Sequence, residues 1–85
     1  MTPEEIRTAV LRVLGTIAPE ADLAAIDPHA DLREQLDLDS MDVLNFAVGV
    51  HDALGVDIPE ADYGRLTTLD ACVAYLAARL ARGRS

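Results

Sequence analysis

The stretch Gln35–Phe46, QLDLDSMDVLNF, decides how this chain folds. Asp39 has the side chain of a helix cap, and Asp42 stands three residues on. A helix is expected from about Asp39 or Ser40 to Leu54, with Gly55 as its stop. Its apolar residues form two stripes rather than one. Val43, Phe46, Ala47, Val50 and Leu54 recur at core-facing spacing. Met41, Leu44 and Val48 form a second row, roughly 100° or more away around the helix. Two readings are open: a central helix buried on most sides, or an exposed apolar patch beside Ser40, ringed by Asp39, Asp42 and Asn45.

Outward from this helix, the chain reads as helical throughout. Thr2-Pro3-Glu4-Glu5 is a helix start: Thr2 caps, Pro3 suits the first position and Glu5 completes a capping box. Ile6, Val10, Val13, Leu14 and Ile17 share one face, and Pro19 ends the helix near Ile17 or Ala18. Residues 19–38 form a long connection with Leu23, Ile26, Leu32 and Leu36 as core anchors and a helical turn near Asp31–Leu36. Loops of this length in small domains are often functional. Pro59 begins at most a short helix, weakened by Gly64. Thr67-Thr68 opens a last helix with Leu69, Cys72, Val73, Leu76 and Leu80 on one face. Arg79, Arg82 and Arg84 lie near its C-terminal end, where the helix dipole favours cations. No period-2 run reads as a strand. The expected fold is all-α: a small four-helix bundle of three main helices and one short one, with a long loop after the first helix.

Composition bounds the function. The 85 residues suffice for a single domain, residues 1–85, with one modest core. With no tryptophan and only Phe46, Tyr63 and Tyr75 as aromatics, that core must be aliphatic. Cys72 is the one cysteine, which excludes an intrachain disulfide and a cysteine-based zinc site. Its place on the core stripe makes it a structural thiol. A lone cysteine fits a reducing compartment, and the expected location is the cytoplasm. The acidic N-terminus is not a secretory signal, and no apolar run is long enough to span a membrane. The net charge is −8, with no lysine. Twelve acids against the single Arg33 fall between Glu20 and Asp62. Such a field repels nucleic acid and attracts basic protein surfaces.

Ser40 has three candidate roles. A nucleophile needs a base within hydrogen-bond reach. His51 is eleven residues along the same helix, roughly 16 Å away at 1.5 Å per residue. Nothing in the sequence places His29 near Ser40, and no GxSxG elbow surrounds it. A hydrolase is therefore disfavoured. As a cap, Ser40 competes with Asp39. As an attachment point it is well placed, because the first turn of a helix favours a phosphate ester. Simple phosphorylation would suit the same position.

LDLDSMD is close to the Asp-Ser-Leu signature of the acyl carrier proteins, and the chain resembles that family. The likeness continues through DALGVDIPEADYGRLTTLDACVAYL and covers most of the chain. It implies a carrier, not an enzyme, whose Ser40 is esterified by 4′-phosphopantetheine delivered from coenzyme A by a separate magnesium-dependent phosphopantetheinyl transferase. Acyl intermediates of fatty acid, polyketide or specialised synthesis would then travel as thioesters on that arm. By the same resemblance, Asp39, Met41, Asp42, Leu44 and Val48 dock the transferase and the acyl-loading, acyl-transferring or condensing enzymes. Phe46, Val50, Leu54, Ile58, Leu66, Cys72 and Tyr75 line the space that takes a short acyl chain. The expected carrier is a monomer. Three departures bear on partner choice. Met41 replaces the usual leucine, Asp37 stands where the family usually has glycine, and Asn45 and His51 occupy positions often acidic in fatty acid carriers. The alternatives are an aminoacyl or peptidyl carrier, against which Asp39 speaks mildly, and a helical interaction module in which Ser40 only caps.

Overall fold

The computed structural model describes residues 1–83; Arg84, expected near the end of the last helix, lies outside them. Thr2 starts the first helix as its chemistry dictates. Its Oγ accepts the Glu5 N–H at 3.2 Å, and Glu5 Oε1 accepts the Thr2 N–H at 2.8 Å. These bonds with Thr2 hold the Glu5 carboxyl below its usual range. Helix α1 runs Pro3–Ile17, buries Ile6, Val10, Val13 and Leu14, and closes at Ala18 before Pro19. Helices α2 (Leu32–Leu36), α3 (Ser40–Leu54) and α4 (Leu69–Gly83) follow. Two 3₁₀ segments, Leu23–Ala25 and Glu60–Leu66, complete the order, and the described residues contain no strand.

The long connection after α1 is tied down by polar bonds at several points. Asp22 caps the first 3₁₀ segment and Asp31 caps α2. Gln35 reaches back to accept the Asp27 N–H at 2.8 Å and to donate to the carbonyls of Asp27 and Ala30 at 2.9 and 3.0 Å. Backbone bonds from Leu32 N to Thr67 O (2.7 Å) and from Asp70 N to Pro28 O (3.1 Å) join this connection to the start of α4 and the residues just before it. Buried backbone groups in an irregular segment need such partners.

The three long helices meet around one core. Ile26 and Leu32 enter it from the connection, Phe46, Ala47 and Val50 from α3, and Leu69, Cys72, Tyr75 and Leu76 from α4. Leu23, Leu36, Leu54, Val73 and Leu80 pack against it while partly exposed. The crossing of α1 and α3 is close. A Cβ placed on Gly49 would lie 2.6 Å from Val13 Cγ1. At Gly55 the chain leaves α3 through a left-handed residue with φ 70°, which glycine adopts without steric cost. Thr68 Oγ1 accepts the Ala71 N–H at 3.0 Å and so begins α4.

Candidate functional site

The N-terminal end of α3 is built by two adjoining caps. Asp37 closes α2 in the left-handed region, with φ 54° and ψ 48°. This is the backbone that a glycine at this position would supply, so the departure from the carrier pattern leaves the turn left-handed. Asp39 then opens α3: its Oδ1 accepts the Asp42 N–H at 2.9 Å, and Asp42 Oδ2 accepts the Asp39 N–H at 3.1 Å. The cap is therefore Asp39. Ser40 occupies the first helical position, solvent-exposed, and its side chain makes no hydrogen bond among the described residues.

The two-stripe question resolves in favour of exposure. Met41 is 62% exposed, Val48 52% and Leu44 43%, whereas Phe46, Ala47 and Val50 are buried. These three are the exposed large hydrophobics beyond Met1 among the described residues. An apolar row kept in water beside a polar rim is the kind of patch that marks partner sites in other proteins. Neither histidine serves Ser40. His29 Nδ1 pairs with Asp70 Oδ2 at 3.1 Å, and His51 lies in the last turn of α3.

An open groove of about 500 Å³ runs beside Ser40 between the start of α3 and the 3₁₀ segment Glu60–Leu66. Met41, Val43 and Leu44 line one side, Tyr63, Gly64 and Thr67 the other, and Arg33 adds a cation. Beneath it is an interior void of about 40 Å³. Val43, Tyr63, Thr67 and Arg33 belong to both, so the void lies directly under the groove. Its volume is far below the roughly 300 Å³ of an ordinary small-molecule pocket.

Of the expected acyl-pocket residues, Phe46 and Leu66 line this void, together with Leu14, Leu32 and Leu38. Val50, Ile58 and Cys72 are buried elsewhere in the core. Leu54 borders a groove against Met1 and the first turns of α1, and Tyr75 faces the arginines of another groove. Burial pushes the Cys72 thiol up from 9.0 to about 12, as its core position demands. Sequence reasoning missed Arg33, Tyr63 and Thr67. Arg33 had a visible signal, as the single cation of the acidic middle. Tyr63 and Thr67 had none, because their place depends on how residues 59–68 fold back over α3.

The surroundings of Ser40 suit a phosphate ester. The hydroxyl is exposed, it is not needed as a cap, it opens at the first turn of a helix onto a groove, and Arg33 in that groove offsets part of the charge of the nearby carboxylates. Residues 4–76 match the phosphopantetheine attachment site family. The chain is 30% identical over 76 residues to the meromycolate extension acyl carrier protein of Mycobacterium tuberculosis, covering 89% of this chain and 65% of that one. It thus spans about two thirds of that relative's length. It is 28% identical over 79 residues to the acyl carrier protein of Acidothermus cellulolyticus, covering 91% and 90%. A solved structure of the acyl carrier protein from Enterococcus faecalis shares the fold with a TM-score of 0.77 at 23% identity, over 93% of this chain and 99% of that one. With a family match over nearly the whole chain and the same helical architecture, this protein belongs to the acyl carrier protein family, whose members hold acyl groups on a covalent 4′-phosphopantetheine arm and are carriers rather than catalysts.

Proposed function

We infer that Ser40 is the attachment point of the arm and that the exposed row Met41, Leu44 and Val48, with Asp39 and Asp42, is the surface that partner enzymes grip. One observation carries this reading: an exposed serine, free of any capping duty, at the head of a helix that keeps three large apolar side chains in water. A phosphopantetheinyl transferase would join the Ser40 oxygen to the phosphorus of coenzyme A nearest the pantetheine, release adenosine 3′,5′-bisphosphate, and take the hydroxyl proton. The chain then acts as a monomeric, cytoplasmic, single-domain carrier for acyl-loading, acyl-transferring and condensing enzymes with basic docking surfaces.

A specialised or polyketide pathway suits the chain better than bulk fatty acid synthesis. Asn45 and His51 make the exposed face of α3 less negative than carboxylates there would. Likeness to a meromycolate extension carrier favours acyl over aminoacyl cargo. The test is intact mass after incubation with coenzyme A and a broad-specificity transferase. A gain of one arm that Ser40→Ala abolishes is expected. No gain, or a gain that survives Ser40→Ala, overturns the assignment.

A further inference from the structure

In a chain with fifteen acids and seven arginines, every arginine could have a carboxylate partner. Two of them do not. Arg65 lies over one side of the Tyr75 ring, 5.1 Å from its centre, and Arg79 lies 5.8 Å from the same centre. Arg79 Nη2 donates to the Asp57 carbonyl at 2.8 Å. Among the described residues neither guanidinium forms an ion pair with a carboxylate. The ring orients both groups and the Asp57 carbonyl orients Arg79, but neither partner neutralises a guanidinium.

These arginines line an open groove of about 580 Å³ between the 3₁₀ segment Glu60–Leu66 and α4. That size suits a small ligand. Asp62 also lines the groove, with its Oδ2 accepting the Tyr75 hydroxyl at 2.6 Å. Gly64 and Thr67 border this groove and the one beside Ser40 alike. A Cβ added at Gly64 would meet nothing within 4 Å, so the boundary between the two grooves is a low saddle open to solvent.

The charges along this path are ordered. Around Ser40 the carboxylates of Asp37, Asp39, Asp42 and Glu60 outnumber the one cation, Arg33; past Gly64, Arg65, Arg79 and Arg82 outnumber Asp62, whose carboxylate accepts the Tyr75 hydroxyl. A guanidinium matches a carboxylate with two parallel N–H···O bonds. We propose that the Arg65–Tyr75–Arg79 groove is a subsite for cargo bearing a carboxylate at its far end, reached from Ser40 across Gly64. This rests on Ser40 being the tether. Continuity with the Ser40 groove and the small volume favour a tethered ligand over an acidic segment of another protein. Tethering also raises the local concentration to the millimolar range, on the order of what a two-arginine site in water needs.

The test uses the arm-bearing protein loaded with glutaryl through an amide in place of the thioester, and the same protein loaded with pentanoyl. Intact mass establishes loading first, so failure at Ser40 and failure of the groove are separate results. The Arg65 and Arg79 Nε–H resonances are expected to move with glutaryl and to stay in place with pentanoyl or with free glutarate at the protein's concentration. Gly64→Leu, whose Cβ has no atom within 4 Å, is expected to abolish the glutaryl effect. As a second route, ¹³C-carboxylate glutaryl on the Arg65→Gln, Arg79→Gln double variant is expected to show the free carboxylate shift. Equal shifts with glutaryl and pentanoyl, or a glutaryl effect that survives both the Gly64 and the arginine substitutions, overturn the proposal. An arginine shift caused by an added acidic peptide and not by glutaryl also overturns it.

Discussion

Asp39 and Asp42 hold each other's backbone. Each carboxylate accepts the other residue's N–H, at 2.9 and 3.1 Å, across the first turn of α3. The same two carboxylates are therefore a structural capping box and part of the proposed docking rim. Asp39→Ala is expected to lower stability by about 1 kcal/mol in urea unfolding. Asp39→Ser keeps an acceptor at the cap and is expected to cost much less. Any loss of partner transfer that Asp39→Ser shares with Asp39→Ala then reports the charge rather than the cap.

Leu44 and Val48 should behave in the opposite way. Both are about half exposed and make no call on the core, so Val48→Ser and Leu44→Ser are expected to change stability by no more than about 0.5 kcal/mol. Transfer to an acyl-loading enzyme should fall, mainly through faster dissociation of the complex. An unfolding midpoint that drops with the transfer rate would place these residues in the fold instead.

Asp37 holds a positive φ of 54°. A side chain in this region costs on the order of 1 kcal/mol, less for aspartate than for most residues. Asp37→Gly is expected to stabilise the protein by up to about 1 kcal/mol, seen as a rise in melting temperature of a few degrees. No rise would mean that the freedom glycine adds to the unfolded chain cancels the relieved strain.

Gly49 tests the α1–α3 crossing. Alanine normally gains about 1 kcal/mol over glycine inside a helix. Here its Cβ would lie 2.6 Å from the stiff, buried Val13 side chain. Gly49→Ala is expected to destabilise by about 1–3 kcal/mol through overpacking, and Val13→Ala is expected to relieve part of that loss. A more stable Gly49→Ala would show that α1 shifts without cost.

Cys72 should be silent in the native protein. With its thiol pushed up to about 12, almost no thiolate exists at pH 8, and the residue is fully buried. Disulfide reagents are expected to label it only after unfolding by denaturant. The raised folded value also fixes a direction with pH. Folding favours the protonated thiol, so this contribution to stability is complete below pH 9.0 and is lost as pH rises toward about 12. Urea midpoints between pH 8 and 11 should fall in the parent and fall less in Cys72→Ala.

Much of the molecule was legible in the chain itself. Both capping boxes, Thr2 with Glu5 and Asp39 with Asp42, span three residues, so short-range chemistry placed the starts of α1 and α3. Pro19 and Gly55 placed their ends for equally local reasons. The second stripe on α3 was legible because helical periodicity alone separates Met41, Leu44 and Val48 from Phe46, Ala47 and Val50. That these side chains face water was a tertiary outcome, since it depends on which neighbours cover α3. The Gln35 bonds to Asp27 and Ala30 lay beyond any local rule, because they depend on the path of the connection.

Long-range packing decided the rest. The acyl-pocket expectation named seven residues; two of them, Phe46 and Leu66, line the void beneath the Ser40 groove, where they meet Leu14, Leu32 and Leu38. A core stripe says that a side chain is buried; it does not say which buried side chains leave a gap between them. The arginine groove has the same origin. Arg79 follows Tyr75 by four positions on α4, so helical geometry sets it beside the ring, but only the packing of the Glu60–Leu66 segment on α4 brings Arg65 there. Sequence by itself determined the helices, their caps and the serine that opens α3, because those follow from contacts within a turn or two. The tertiary structure decided which surfaces meet and where space remains, because both depend on residues that no local pattern connects.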